Sequence, residues 1–266
     1  MMHSGKAAAY YYDVQGSGEP VILLHGFTGT HSTWEKLRST LNRTFQTIAF
    51  DLPGHGQTLD GQVEMQAFCE DLQVFLDETG ISGCHLIGYS MGGRAALSFA
   101  AAYPDQVKSL ILESASPGLQ SEDERVARCR QDEKLAAMLE REGVEAFVGQ
   151  WERLPLFATQ QQLPETVRRM IRDERLSQHA AGLAASLRHM GTGSQEPVWE
   201  KLSVLDMPVL LLAGALDPKF VRLNTAMHET LPNSRLTVIP QAGHAIHVEN
   251  PQIFDKVIME FLLAHS

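Results

Sequence analysis

The chain has 266 residues, 44% of them hydrophobic and 20% charged, and a formal net charge of −10. That length suits one large α/β domain carrying an insertion, and the composition is ordinary for a globular protein. The negative charge argues against a nucleic-acid partner, which needs a basic face, and against electrostatic attachment to an anionic membrane.

Met1 to Lys6 are polar, so no secretory leader is expected, and no run of about 18 apolar residues could span a bilayer. Cys69, Cys84 and Cys129 have the spacing of neither a metal knuckle nor a redox pair. Reduced thiols in a cytoplasmic protein are the expectation.

Tyr10 to Val14 is predicted as an opening antiparallel strand. Pro20 to Gly26 (PVILLHG) is a continuous apolar run ending in a turn, the pattern of a strand buried on both faces of a parallel sheet. Phe45 to Phe50 repeats it before Asp51-Leu52-Pro53-Gly54. Met65, Phe68, Cys69, Leu72, Phe75 and Leu76 follow the spacing of one helix face. Cys84 to Gly88 is a third buried strand, and an Ala-rich helix runs from Gly92 to Tyr103 before Pro104. Val107 to Glu113, Pro208 to Gly214 and Ser234 to Ile239 complete the strands. A closing helix spans Pro251 to Leu263, with Ile253, Phe254, Val257, Ile258, Phe261 and Leu262 assigned to its buried face.

Strands alternating with helices imply an α/β fold with a mostly parallel sheet covered on both faces. One stretch breaks the rhythm. Residues 119–199 contain no strand pattern, only helix-like segments rich in Arg, Glu, Gln and Ala. They are read as a helical cap inserted into a core made of residues 1–118 and 200–266.

Gly88-Tyr89-Ser90-Met91-Gly92 matches G-x-S-x-G between a predicted strand and a predicted helix. That context marks a nucleophile elbow, the strained turn that exposes a serine at the carboxyl edge of the sheet in the α/β-hydrolase fold. A serine hydroxyl needs a base to act at neutral pH. The fold's chain order of Ser, acid and His selects Ser90, Asp217 and His244, each in a loop after a strand. The oxyanion hole of this fold is expected from the backbone N–H groups of Phe27 and Met91. His25 and His55 are read as turn-bracing. His244 and His247 lack a third ligand, so no metal site is assigned, and no cofactor is called for.

HGFTG (25–29), GYSMGGR (88–94), SPGLQ (116–120), GALDPKF (214–220) and GHAIHVENP (243–251) together resemble the 2-succinyl-6-hydroxy-2,4-cyclohexadiene-1-carboxylate synthases of the menaquinone pathway. The resemblance implies an α/β-hydrolase fold used for elimination of pyruvate rather than for hydrolysis. It implies a small-molecule substrate with three carboxylates, and substrate-binding roles for Tyr89, Arg94, Arg128 and Trp151. Arg94 also has an argument of its own, since it lies one helical turn beyond Ser90. Ten of the 15 arginines fall in the cap, between Arg125 and Arg188, although the chain is acidic. Arginine suits bidentate carboxylate binding, but most of these are expected to pair with the acidic residues around them. A carboxylesterase or C–C bond hydrolase would carry the same triad, and a non-catalytic acid-binding protein is the alternative from another class. A monomer is expected.

Overall fold

The computed structural model describes residues 10–266, so the reading of Met1 to Lys6 lies outside the described residues. Seven strands form one sheet: β1 (Tyr12–Gly16), β2 (Glu19–Leu24), β3 (Phe45–Phe50), β4 (Cys84–Tyr89), β5 (Val107–Glu113), β6 (Val209–Gly214) and β7 (Ser234–Ile239). Their spatial order is β1-β3-β2-β4-β5-β6-β7. Every neighbouring pair is parallel except β1 with β3.

The apolar runs are continuous because both faces of the sheet are covered. Along β2, Ile22 and Leu24 enter one core while Val21 and Leu23 enter the other. The first core is closed by α2 (Met65–Thr79), α3 (Met91–Ala102) and α7 (Pro218–Thr230), through residues such as Phe68, Leu97 and Met227. The second is closed by α1 (Glu35–Leu41) and, after the short α8 (Ile246–Glu249), by α9 (Pro251–Leu263), with Trp34 and Phe254 completely buried. Burying such a side chain contributes roughly 1.5–3 kcal/mol.

Between β5 and β6 the described chain holds helices joined by loops and no strand. The helices are α4 (Glu122–Trp151), α5 (Glu165–Leu176) and α6 (Ala180–His189), with a 3-10 segment at Pro155–Gln162. α4 breaks at Gly143, whose φ of 81° is outside helical space. Phe147 and Val148 beyond the break pack with Leu139, Leu183 and Leu187 into a third apolar cluster, and Phe27 of the sheet edge rests against it. This layer closes over the carboxyl ends of the strands. No helix among the described residues is long and apolar enough to cross a membrane.

The structure corrects three local expectations. The first strand is Tyr12–Gly16 rather than Tyr10–Val14, and β2 stops at Leu24 because His25 and Gly26 already turn into a loop. Ile253 is not on the buried face of α9; it is 38% exposed, because it falls beside the stripe formed by Phe254, Val257, Ile258, Phe261 and Leu262. The helices α1 and α7 were not anticipated. α7 carries a readable signal: Asp217 caps it through Phe220 N–H and Pro218 occupies its first position.

Candidate active site

Ser90 sits between β4 and α3 with φ 49° and ψ −105°, in the left-handed region that a side chain rarely adopts. Two glycines make the turn sterically feasible. A Cβ on Gly88 would lie 2.4 Å from Gly92 O, and one on Gly92 would lie 2.0 Å from Leu24 O. Ser90 N–H donates to Glu113 O at 2.9 Å, tying the elbow to β5. The serine therefore stands at the N-terminus of α3, where aligned peptide dipoles favour negative charge.

His244 lies between the other two residues selected from the sequence. Its Nδ1 is 2.8 Å from Asp217 Oδ2 and its Nε2 is 3.1 Å from Ser90 Oγ. A carboxylate only accepts, so Nδ1 carries the proton and Nε2 is left to accept from the serine hydroxyl. Asp217 is fixed in turn by Phe220 N–H, which donates to Oδ1 at 3.2 Å. The imidazole is buried against the Phe220 and Tyr89 rings, with centroids 4.6 Å and 5.5 Å away.

The loop after β2 orients Phe27. His25 Nε2 accepts from Leu52 N–H at 2.9 Å, which leaves the proton on Nδ1, and Nδ1 donates to Gly26 O at 2.7 Å. Gly29 N–H donates to the same oxygen at 3.0 Å. In a trans peptide the N–H points opposite to the C=O, so pinning Gly26 O turns the Phe27 N–H the other way. Neither the Phe27 nor the Met91 N–H finds an acceptor among the described residues. His55 braces the next turn by donating from Nδ1 to Pro53 O, and burial pushes its imidazole down to about 3.

A cavity of about 510 Å³ lies between this edge and the cap. Ser90, His244, Phe27 and Met91 line it, and so do Tyr89, Arg94, Arg128 and Trp151. Arg94 is buried and donates from its two terminal nitrogens to Gln195 Oε1 and Met190 O. Burial pulls its guanidinium down to about 10. Arg128 donates through Nε to Asp132 Oδ1 at 2.8 Å, one helical turn along α4. Burial outweighs that partner and holds the Asp132 carboxyl above the usual carboxylate range. Trp151 Nε1 is buried without an acceptor, while its ring stacks on Phe147. Tyr89 is held edge-on to His247, and it fits only because Gly26 has no side chain; a Cβ there would lie 2.5 Å from the Tyr89 ring.

Many other lining residues received no role from the sequence. Lys219 and Arg222 are three apart on α7 and share its cavity face, a spacing readable once the helix is recognised. Ser116 and Gln120 belong to the quoted SPGLQ segment and also reach the cavity. Gln195, which positions Arg94, comes from a loop with no sequence signal. Several other cap arginines are taken up by partners, but only four of the ten in the cap (Arg128, Arg141, Arg172 and Arg188) pair with a carboxylate. Arg188 grips Glu133 and Glu140, Arg172 pairs with Glu152, and Arg125 donates to the carbonyls of Leu119 and Gln120. Arg175 lies over the Phe157 ring and donates to Gln160.

The family model described as alpha/beta hydrolase fold matches residues 19–251. A protein of Bacillus subtilis named "Putative 2-succinyl-6-hydroxy-2,4-cyclohexadiene-1-carboxylate synthase" is 45% identical, covering 92% of this chain and 91% of its own. The 2-succinyl-6-hydroxy-2,4-cyclohexadiene-1-carboxylate synthase of Serratia proteamaculans is 32% identical over 91% of this chain and 92% of its own. Among solved structures, MenH from S. aureus superposes with a TM-score of 0.92 at 36% identity, covering 96% of this chain and 98% of that one. A thermophilic esterase from Thermogutta terrifontis gives 0.83 at 31% identity, covering 97% and 94%. The chain belongs to the α/β-hydrolase fold family and, within it, to the family of the 2-succinyl-6-hydroxy-2,4-cyclohexadiene-1-carboxylate synthases.

Proposed function

We propose that the protein is a lyase of menaquinone biosynthesis. It eliminates pyruvate from 2-succinyl-5-enolpyruvyl-6-hydroxy-3-cyclohexene-1-carboxylate and forms 2-succinyl-6-hydroxy-2,4-cyclohexadiene-1-carboxylate. The observation that carries this reading is the charge of the cavity. In a chain of net charge −10, the lining holds Arg94, Arg128, Lys219 and Arg222 against one carboxylate, Glu124. A polycarboxylate substrate accounts for that inversion, since guanidinium forks bind carboxylates bidentately. A neutral ester would leave it without purpose.

In the proposed mechanism Asp217 holds His244 in one tautomer and stabilises its cation, and His244 takes the Ser90 proton. Ser90 oxygen removes the ring proton beside the succinyl ketone. The enolate oxygen is met by the Phe27 and Met91 N–H groups. As the enolate collapses, the electron pair moves through the ring double bond and breaks the bond to the enolpyruvyl oxygen. The ring becomes a diene, and the departing pyruvate enolate collects a proton from the His244 cation. Arg94 and Arg128 hold carboxylates so that the proton and the leaving group stay aligned.

The test follows diene formation by ultraviolet absorbance in Ser90→Ala. Loss of at least about 10³-fold in kcat is expected from removal of the base; a variant that kept most of its rate would exclude Ser90 as that base. The Thermogutta terrifontis neighbour favours a second reading, ester hydrolysis. Strong turnover of p-nitrophenyl acetate with no diene would establish it. Stoichiometric binding of the acid without turnover would mark a binding protein.

A further inference from the structure

The turn that carries Phe27 is conformationally strained, and the cap holds it. Gly26 O accepts from Gly29 N–H at 3.0 Å, which closes a turn with Phe27 and Thr28 at its two central positions. Thr28 has φ 71°. A positive φ at the second central position belongs to Gly or Asn. A β-branched residue there costs on the order of 1–3 kcal/mol and persists only where its surroundings over-determine it.

His25 holds Gly26 O from the core side, and the remaining polar contacts come from one stretch of the cap. Gln178, just beyond α5 and buried, donates from Nε2 to Thr28 O at 3.3 Å and Gly29 O at 3.2 Å. Its Oε1 accepts from Gly56 N–H at 3.0 Å, beside the loop that His55 braces. Four residues earlier, Glu174 Oε1 accepts from Thr30 N–H and Thr30 Oγ1, both at 2.9 Å, and from Thr33 Oγ1 at 2.7 Å. The cap thus grips Thr28, Gly29, Thr30 and Thr33. The Phe27 ring is also enclosed by Phe147 and Trp151 of α4.

We infer that Gln178 is a positioning residue for catalysis. From the cap it fixes the Thr28 turn and so aims the Phe27 N–H at the developing oxyanion. Glu174 anchors the same segment further on. The cap then does more than cover the cavity, because its seating completes the oxyanion hole. The inference rests on the proposed function only through the role given to Phe27.

Two variants separate this role from a structural one. Gln178→Leu removes every bond; Gln178→Glu keeps the acceptor for Gly56 N–H but turns a carboxylate oxygen on the two carbonyls. For each variant three quantities are read: the thermal midpoint, kcat and KM for diene formation, and the rate at which a p-nitrophenyl alkylphosphonate ester phosphonylates Ser90 with release of p-nitrophenol. Phosphonylation needs the triad and the oxyanion hole but not the cavity cations.

In folded variants kcat is expected to fall about 10- to 100-fold, the scale of a misaimed oxyanion donor. KM stays within about twofold of wild type, and phosphonylation slows in parallel with kcat. Folded variants that phosphonylate at the wild-type rate, or whose whole loss lies in KM, would overturn the inference while leaving the elimination reading intact. Wild-type protein that resists phosphonylation would overturn the role of Phe27 and Ser90, and the inference with it. If Gln178→Leu does not fold, Gln178→Glu decides the question alone.

Discussion

In the proposed function Arg128 takes a substrate carboxylate, and its surroundings suit it to that role. Its Nε is committed to Asp132 Oδ1, and its side chain is one-third exposed at the cavity wall. The two terminal nitrogens make no hydrogen bond among the described residues and form a fork tethered through Nε. Lysine cannot reproduce that fork. Arg128→Lys is expected to raise KM about 10-fold or more, equivalent to about 1.4 kcal/mol, with kcat and the thermal midpoint little changed. Steady-state kinetics of diene formation check this, and an unchanged KM would remove Arg128 from the binding set. Both partners were open to sequence reasoning, since they stand four apart on one helix. Only Arg128 was singled out, because burial of an aspartate is invisible without the fold.

At the scale of elements, the junction of β4, α3 and β2 determines whether Ser90 can be presented at all. Gly92 lies against the backbone of Leu24 and His25, where the displaced atoms would be main chain rather than a yielding side chain. Gly92→Ala is expected to cost at least about 2–3 kcal/mol by forcing α3 off β2. Gly149 offers the contrast. It lies in α4 with nothing within 4 Å of an added Cβ, so Gly149→Ala is expected to be neutral or to stabilise by about 0.5–1 kcal/mol. Urea unfolding of the pair measures the difference. Equal effects would mean that helix propensity, rather than close backbone approach, sets the cost at Gly92.

Across the whole molecule, buried histidines set the response to acid. His55 remains neutral in the folded protein down to about 3 because burial opposes its charge. The unfolded imidazole takes a proton near its ordinary value of about 6.5. Between those limits the unfolded state binds the extra proton, so stability falls as pH falls. Asp51 and Asp13, held below the carboxylate range chiefly by bonds to His31 and by Gln15 and Arg38 against their burial, add losses in the same direction at lower pH. His31 and His247 act oppositely. Asp51 and Glu113 raise them, so their contribution is full below the unfolded value and fades as pH rises through the folded one. In His55→Asn the slope of unfolding free energy against pH, between about 6 and 4, should lessen by up to ~1.4 kcal/mol per unit. An unaltered slope would show that His55 is not one of the buried neutral groups.

Much of this architecture was legible in the sequence because it rests on local rules. Doubly buried strands need unbroken apolar runs, and an elbow needs glycine on both sides of its serine. Ser90, Asp217 and His244 could be selected because each follows such a strand at the same edge of the sheet. Helix α7 is not read from the sequence because its cap and proline are not taken as a start signal, so Lys219 is quoted only within the family motif, without a role, and Arg222 is missed. The rest was decided by contacts between segments far apart in the chain. Arg94 meets Gln195 across 101 residues and Gln178 meets Thr28 across 150. No periodicity records such pairings, because a hydrogen bond depends on where two elements come to rest and not on the residues flanking either partner. The sequence by itself determined the layers of the fold and the residue types at the edge of the sheet; the tertiary structure alone decided which cap arginines face the cavity, which are spent on neighbouring carboxylates, and what holds the Phe27 turn in place.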